Sequence, residues 1–405
     1  MITNLSPATS REALVDWTGG ADLLLPEDAD DAILVGRAWV PSVGGPSVIV
    51  VRDGAVLDLS EHTATVSDLL ESNRAVEAMT GRSLGPLAEL LANTPRDARS
   101  QKLPWLLSPI DLQVVKAAGV TFPASMLERL IEEKARGVVD RAATIRAGIL
   151  AALGTDLTDL LPGSREALRL KDHLIAEGLW SQYLEVGIGP DAEVFTKAPV
   201  LATVGTAVDV GVRSDSKWNN PEPEVVLIVT SDGRIVGATL GNDVNLRDIE
   251  GRSALLLGQA KDNNASAAVG PLIRLFSDNF DLDTVRNETV TLEIDGADGF
   301  SLRATSHMTQ ISRDPSDLVA QVIGARHQYP DGFALYLGTM FAPSKDRGEA
   351  GQGFTHQRDD VVRIASPSLG SLINRVRQSE EVEAWEFGIS ALMTNLAERG
   401  LIPRS

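Results

Sequence analysis

Apolar and polar positions alternate with a period of two in some stretches of this chain and with a period of three to four in others. The switches between the two periods mark its organisation. ILVGRAWV (33–40) and SVIVVRDGAVLDL (47–59) read as strands, the second folding back on itself at Asp53-Gly54. In TVSDLLES (65–72), Thr65 stands as an N-cap with Asp68 three positions on, which opens a short helix. The polar, proline-bearing stretch NTPRDARSQKLP (93–104) fits neither period and is expected to be a linker. These elements predict a small N-terminal mixed α/β domain over 1–105 and a second, larger domain over 106–405.

The larger part starts helical. In ASMLERLIEEKARGVVDRAATIRAGILAAL (124–153), Leu127, Leu130, Ile131, Ala135, Val138 and Val139 recur at helical spacing, with a break expected at Gly137. A second helix is expected over REALRLKDHLIAEGLW (165–180). From about residue 183 the period shortens to two. EVVLIVTSDGRIVGATL (224–240) predicts a hairpin turning at Ser231-Asp232-Gly233, and TVTLEI (289–294), FALYLGTMF (333–341) and DVVRIAS (360–366) continue the series of strands. A closing helix is expected over 380–400, with Gly400 as its C-cap. The fold class is α+β, rich in β.

Composition narrows the chemistry. At 405 residues, 43% hydrophobic and 23% charged, the chain is globular and long for a single core. A formal net charge of -19 argues against a nucleic-acid or membrane surface, so an anionic substrate would need local cations or a metal. With no cysteine, zinc–thiolate sites, iron–sulfur clusters and a thiol nucleophile are excluded. No apolar run reaches a membrane span, and the N-terminus lacks the basic and apolar regions of a signal peptide, so a cytoplasmic protein is expected. G-x-S-x-G, P-loop and H-E-x-x-H patterns are all missing. Of the five histidines, His307 and His356 fall in motif-like loops, where either would offer a base.

One segment contradicts its surroundings. In WNNPEPEVVLIV (218–229), Glu222 and Glu224 stand between prolines at the mouth of a strongly apolar strand. Residues i and i+2 of a strand share a face, and Pro221 and Pro223 confine the segment to a strand start or an edge. An isolated E-x-E would face solvent. Here, however, the hairpin that follows returns to Gly241-Asn242-Asp243, which brings Asp243 back beside both glutamates. Three oxygen ligands without Cys or His suit a hard cation, Mg²⁺ with Mn²⁺ as the alternative.

The motifs in their order are similar to those of the fumarylacetoacetate hydrolase family. They are Glu222-Pro223-Glu224, Gly241-Asn242-Asp243-Val244 with Arg247-Asp248, Lys261, and Gly270-Pro271. VFTKAP (194–199), YLGTM (336–340) and DDVVRIASPSLGSLINRV (359–376) resemble further family strands, so the likeness covers about residues 108 to 400. It implies a β-rich roll with flanking helices, following a small N-terminal mixed domain, and a homodimer or homotetramer. Within the family, WNNPEPEVV, GNDVNLRDIEGRSALLL and HQYPDGFALYLGTMFAP resemble most the dehydratases of 2-keto-3-deoxypentonates. That implies Mg²⁺-dependent conversion of 2-keto-3-deoxy-D-xylonate to 2,5-dioxopentanoate and water in oxidative pentose breakdown.

By this resemblance Glu222, Glu224 and Asp243 hold the metal, Glu128 and Lys261 are the acid/base groups, and Lys197, Arg247 and Thr339 contact the keto acid. The chain departs from the family pattern in two places. The lid H-x-x-E is here Ser125 with Glu128, without the histidine that helps activate water for C–C hydrolysis, and the K-x-x-x-T pattern ends in Ala265. The rival readings are a metal-dependent hydrolase of acylpyruvates or 2,4-diketo sugar acids, and a keto-acid-binding protein without turnover.

Overall fold

The computed structural model describes residues 16–402 apart from 73, 136–144, 146–159, 177, 179, 340–345 and 348–353. The break expected at Gly137 and the helical positions Val138 and Val139 lie outside the described residues.

Strands organise the molecule. In chain order they are β1 (Leu34–Val40), β2 (Gly45–Arg52), β3 (Ala55–Asp58), β4 (Arg82–Pro86), β5 (Trp105–Leu106) and β6 (Val114–Gly119). There follow β7 (Glu193–Ala198), β8 (Val208–Val212), β9 (Asn219–Asn220), β10 (Pro223–Val229), β11 (Ile235–Asp243) and β12 (Asn245–Leu246). The last six are β13 (Ala267–Leu275), β14 (Thr289–Asp295), β15 (Ser301–His307), β16 (Phe333–Tyr336), β17 (Val361–Ser366) and β18 (Gly370–Gln378). One large sheet runs β4-β3-β2-β1-β13-β11-β10-β16-β6-β7, with β5 paired on β1. A smaller sheet runs β15-β14-β17-β18-β8, and β9 pairs with β12.

The apolar run VVLIV takes a central position. β10 lies between β11 and β16 and is buried along its whole length. Its alternate side chains serve two cores: Val225, Leu227 and Val229 pack in one apolar cluster, Val226 and Ile228 in another. The first cluster is closed by the smaller sheet, whose β14 buries Val290, Leu292 and Ile294 and turns its other residues outward. Each such fully buried aliphatic side chain contributes about 1.5–3 kcal/mol. The second cluster is closed by Val66, Leu69 and Leu70 of the helix Val66–Glu71, whose N-cap Thr65 accepts from the Asp68 N–H at 3.0 Å.

The large sheet continues across the stretch expected to be a linker. β1 pairs with β13 (Leu34↔Arg274), and its register with β5 sets Trp39 opposite Trp105. Residues before and after position 105 therefore share one sheet, and Val35, Val48 and Val50 share a core with Val226 and Ile228.

Two helices are shorter than their periodicity predicts. The stretch 165–180 is helical over Arg165–Ala176, and a separate helix Gln182–Ile188 follows, capped by Ser181. The closing helix spans Ile389–Glu398 only. Residues before it form an irregular strap, because Phe387 packs edge-on against Trp39 at 5.2 Å and so holds the chain out of helical geometry. Among the described residues no helix is long and apolar enough to cross a membrane.

Candidate active site

The β10–β11 hairpin builds the centre of the site. Its register sets Glu224 opposite Gly241, and the Asp243 N–H donates to the Glu222 carbonyl at 3.0 Å, so the pairing runs on past the end of β10. One carboxylate oxygen from each of Glu222, Glu224 and Asp243 lies within 4.8 Å of the others, and all three side chains are buried. Gly241 is required there, since a Cβ would stand 2.3 Å from the Tyr336 ring and 2.6 Å from Val226. Tyr336 is itself fixed by donating its hydroxyl to the Ala268 carbonyl at 2.6 Å.

Cations surround two of the three acids. Lys261, at the end of the helix Leu257–Lys261, donates to Glu222 and, at 3.0 Å, to Asp243. Lys197 of β7 lies wholly buried behind Asp243, 2.8 Å from its other oxygen, and also donates to the Val244 and Lys261 carbonyls. Arg129 bridges Glu222 and Glu250. Burial by itself would lower the Lys261 pKa, but the charges of Asp243 and Glu222 outweigh it and hold the ammonium well above its ordinary range. Burial likewise works against ionised Asp243, and Lys197 and Lys261 overcome it, leaving its pKa lowered. For Lys197 itself burial wins, and its pKa falls.

Glu224 differs. Among the described residues no Lys or Arg forms an ion pair with it; it accepts the Gly338 N–H at 2.6 Å. Burial, then the charges of Asp243 and Glu222, push its pKa well above the carboxylate range. Three converging carboxylates, one of them outside any ion pair, fit a hard divalent cation by donor type and by electrostatics. Gly338 reaches Glu224 at a positive φ of 92°, where a Cβ would lie 2.0 Å from Thr121 Oγ1.

The cavity over these carboxylates is also lined by Ser125, Arg129, Glu193, Phe195, Lys261 and Thr339. Its volume of about 20 Å³ matches an ion or a water. Of the residues singled out in the sequence, Glu222, Glu224, Asp243, Lys261 and Thr339 therefore meet in one place. Lys197 stands behind Asp243 rather than in the cavity. Glu128 and Arg247 are directed elsewhere: Arg247 Nη2 lies 3.4 Å from Glu128 Oε2, and its guanidinium sits 4.3 Å over the Trp218 ring. Arg129, the next residue in the helix Pro123–Ala135, occupies the cavity instead.

His356 is buried with Nδ1 3.2 Å from Asp360, and His307 contacts Thr289 at the end of β15. Neither lines the cavity.

Glu193 is an acid of the site that no sequence motif marks. It opens β7 and shares a strand face with Phe195, which lines the same cavity, whereas a register shift against β6 sets Lys197 outside that alternation. Burial raises its pKa, against the attraction of Arg129 and Lys261. The site thus holds a carboxyl of raised pKa beside a buried ammonium and a cluster of hard ligands.

No family model matches the chain. It is 30% identical over 193 residues to 2-dehydro-3-deoxy-D-arabinonate dehydratase of Saccharolobus solfataricus, an alignment covering 47% of this chain and 60% of that protein. It is 33% identical over 195 residues to a protein of Haloferax volcanii named "Probable 2-keto-3-deoxyxylonate dehydratase", covering 48% and 63%. The chain thus spans less than two thirds of the length of these curated relatives.

Among solved structures, the apo form of 2-keto-3-deoxy-D-arabinonate dehydratase superposes with a TM-score of 0.59 at 21% identity, over 85% of this chain and 99% of the other. The same enzyme complexed with magnesium and 2,5-dioxopentanoate gives 0.58 at 21%, with the same coverage. A fumarylacetoacetate hydrolase from Exiguobacterium antarcticum gives 0.51 at 15%, over 86% of this chain and 100% of the other. The chain has a fumarylacetoacetate hydrolase-like fold and is a homologue of proteins named as dehydratases of 2-keto-3-deoxypentonates.

Proposed function

We propose that this fumarylacetoacetate hydrolase-like chain is a divalent-cation-dependent dehydratase that converts 2-keto-3-deoxy-D-xylonate to 2,5-dioxopentanoate and water. The observation that carries this reading is the shared cavity: Glu222, Glu224 and Asp243 converge beside Lys261, and the half-buried Glu193 lines the same space. The names of the two relatives, and the magnesium and 2,5-dioxopentanoate complex of a structural neighbour, support the choice of substrate class.

Glu222, Glu224 and Asp243 would hold Mg²⁺, which when bound supplies Lewis-acid polarisation of the keto acid's C1 and C2 oxygens. The chain's own groups then manage protons. Glu193, in its ionised state, takes a proton from C3, and the electron pair of that C–H bond moves towards the C2 oxygen. The pair returns as the C3–C4 double bond forms and the C4–O bond breaks. Glu193 delivers the same proton to the departing hydroxyl, which leaves as water. Loss of a C5 proton and gain of one at C3 turn the resulting enone into an enol, and ketonisation gives the C5 aldehyde. A carboxyl whose pKa is raised by burial is suited to both halves of this exchange near neutral pH.

Lys261 stays cationic and donates to the oxygen on which charge develops, a role worth about 2.7–4 kcal/mol where a single donor has been removed from comparable sites. Lys197 fixes Asp243 from behind. Thr339 is positioned to orient substrate at the cavity wall, and Arg129 to receive its carboxylate. Glu128 acts through Arg247, steadying the helix that carries Arg129.

The test is an assay on 2-keto-3-deoxy-D-xylonate with and without EDTA. Semialdehyde formation that is abolished by EDTA and restored by Mg²⁺ is expected. Release of pyruvate would establish C–C cleavage instead, and turnover indifferent to EDTA would remove the metal.

A further inference from the structure

A cavity of about 480 Å³ lies away from the carboxylates, between β1, the segment 201–205 and the strap before the closing helix. That volume falls in the range of small-molecule sites. β1 sends Arg37 and Trp39 to the same face, two residues apart, and both line this cleft. Trp39 stacks on Trp105 at 5.7 Å with 17° between the rings, and Phe387 stands nearly perpendicular to it at 5.2 Å. Arg99 lies 4.8 Å over Trp105, its charge already taken by Glu383 at 3.1 Å. Trp385, 48% exposed, stands at the mouth.

Arg37 is the unusual member. Only 7% of it is exposed, its guanidinium donates to the Ile110 carbonyl, and no carboxylate of the described residues forms an ion pair with it. The buried Asp111 attracts it without forming an ion pair, and a buried cation so incompletely compensated is costly unless something completes it. Arg37 lines an open cleft with aromatic walls, so that partner can come from solution.

We propose that this cleft is a second ligand site, which binds a small organic anion carrying a carboxylate on a flat ring, with the carboxylate at Arg37 and the ring against Trp39 and Phe387. The ligand would also touch Asn264 and Ala265, which follow Lys261 by three and four residues. Asn264 ties that loop to the strap by donating to the Ser379 and Glu383 carbonyls at 3.3 and 3.2 Å. The site does not depend on the reaction proposed above, and its test reads binding alone.

The probe is 2-naphthoate, titrated calorimetrically into the full chain, with 2-naphthamide as the uncharged control. Saturable binding of the acid is expected, with the amide about tenfold or more weaker, since a charge-assisted pair is lost. Trp385→Ala, at an exposed position, should weaken the acid several-fold, and Arg37→Gln about tenfold or more. Asp243→Asn should leave the affinity unchanged, because the carboxylate site is not involved. Circular dichroism checks that each variant is folded, and if Arg37→Gln is not, the acid-to-amide ratio and Trp385→Ala decide. Equal affinity for acid and amide, no saturable binding in the millimolar range, or loss of binding in Asp243→Asn would each overturn the proposal. So would self-association of the chain that Trp385→Ala disperses, which would make the cleft a contact between copies.

Discussion

Replacing Glu193 by Gln keeps shape and hydrogen-bonding capacity and removes only the ability to carry a proton. Its effects on turnover and on stability should run in opposite directions. General acid–base groups typically contribute about 10²–10⁴ in rate, or about 3–5 kcal/mol of barrier, so kcat for 2-keto-3-deoxy-D-xylonate should fall by that factor with KM little changed. Stability should rise. Burial raises the Glu193 pKa in the folded protein, so above the ordinary carboxylate pKa the ionised side chain costs folding free energy that it does not cost the unfolded chain. That cost is absent below the ordinary carboxylate pKa, grows as pH rises above it, and levels off past the raised folded value. Every tenfold difference in proton affinity between the folded and unfolded chain is worth about 1.4 kcal/mol.

Glutamine carries no such cost. In EDTA-treated protein, urea unfolding should therefore give Glu193→Gln a higher midpoint at pH 7 than the parent, and the gap should close as pH falls to about 4. Steady-state kinetics and two denaturation series suffice. A variant with undiminished kcat would take Glu193 out of the mechanism, and one destabilised at pH 7 would refute the account of its burial.

Other perturbations report on other parts of the site and fold. Glu224→Gln should lose most of its Mn²⁺ affinity, followed by electron paramagnetic resonance, because the one carboxylate of the three outside an ion pair is neutralised; unchanged affinity would exclude Glu224 from the metal. Lys197→Met should lower metal affinity about 10–100-fold by releasing Asp243 from behind, as outer-shell changes do, while Lys261 keeps its two partners. Gly241→Ala should cost about 1–3 kcal/mol in chemical denaturation, since its methyl would enter the Tyr336 ring. Asp28→Asn leaves the buried Arg274 with the Ser368 carbonyl and the Phe280 face; because Asp28 is itself 46% exposed, the cost should be about 1–2 kcal/mol. Arg274 holds the Asp28 pKa down, so this contribution should be present at neutral pH and lost as pH falls through that lowered pKa.

The centre of the site was legible because its signals are local. Pro221 and Pro223 mark the strand mouth, Ser231-Asp232-Gly233 fixes the turn, and the hairpin then carries Asp243 to Glu222 with no help from elsewhere. Residues chosen by docking were harder to read. Glu128 and Arg129 are neighbours on a helix, and one step is a rotation of about 100°, so which of them enters the cavity depends on how the helix seats. Glu193 lies four residues before Lys197, but the register shift at Lys197 breaks strand alternation between them, and no local pattern shows what the face of Glu193 and Phe195 meets.

Strand β13, AAVGPLIRL, was not among the expected strands; it carries Gly270-Pro271 within it, where proline offers no ladder donor, and its register shifts against β11 between Ala238 and Leu240. The strap before Ile389 has helical composition but is claimed by its aromatic contact with Trp39. In each of these cases a tertiary contact overrode a local preference.

The central claim is that the carboxylate cavity removes water from a five-carbon keto acid without cutting its chain. Uniformly ¹³C-labelled 2-keto-3-deoxy-D-xylonate, followed by NMR with the protein and Mg²⁺, tests it most directly. The account predicts a single five-carbon product whose C5 resonance is that of an aldehyde or its hydrate, with all carbon–carbon couplings retained. Labelled pyruvate with a two-carbon fragment, or an unchanged substrate spectrum in the presence of Mg²⁺, would contradict it.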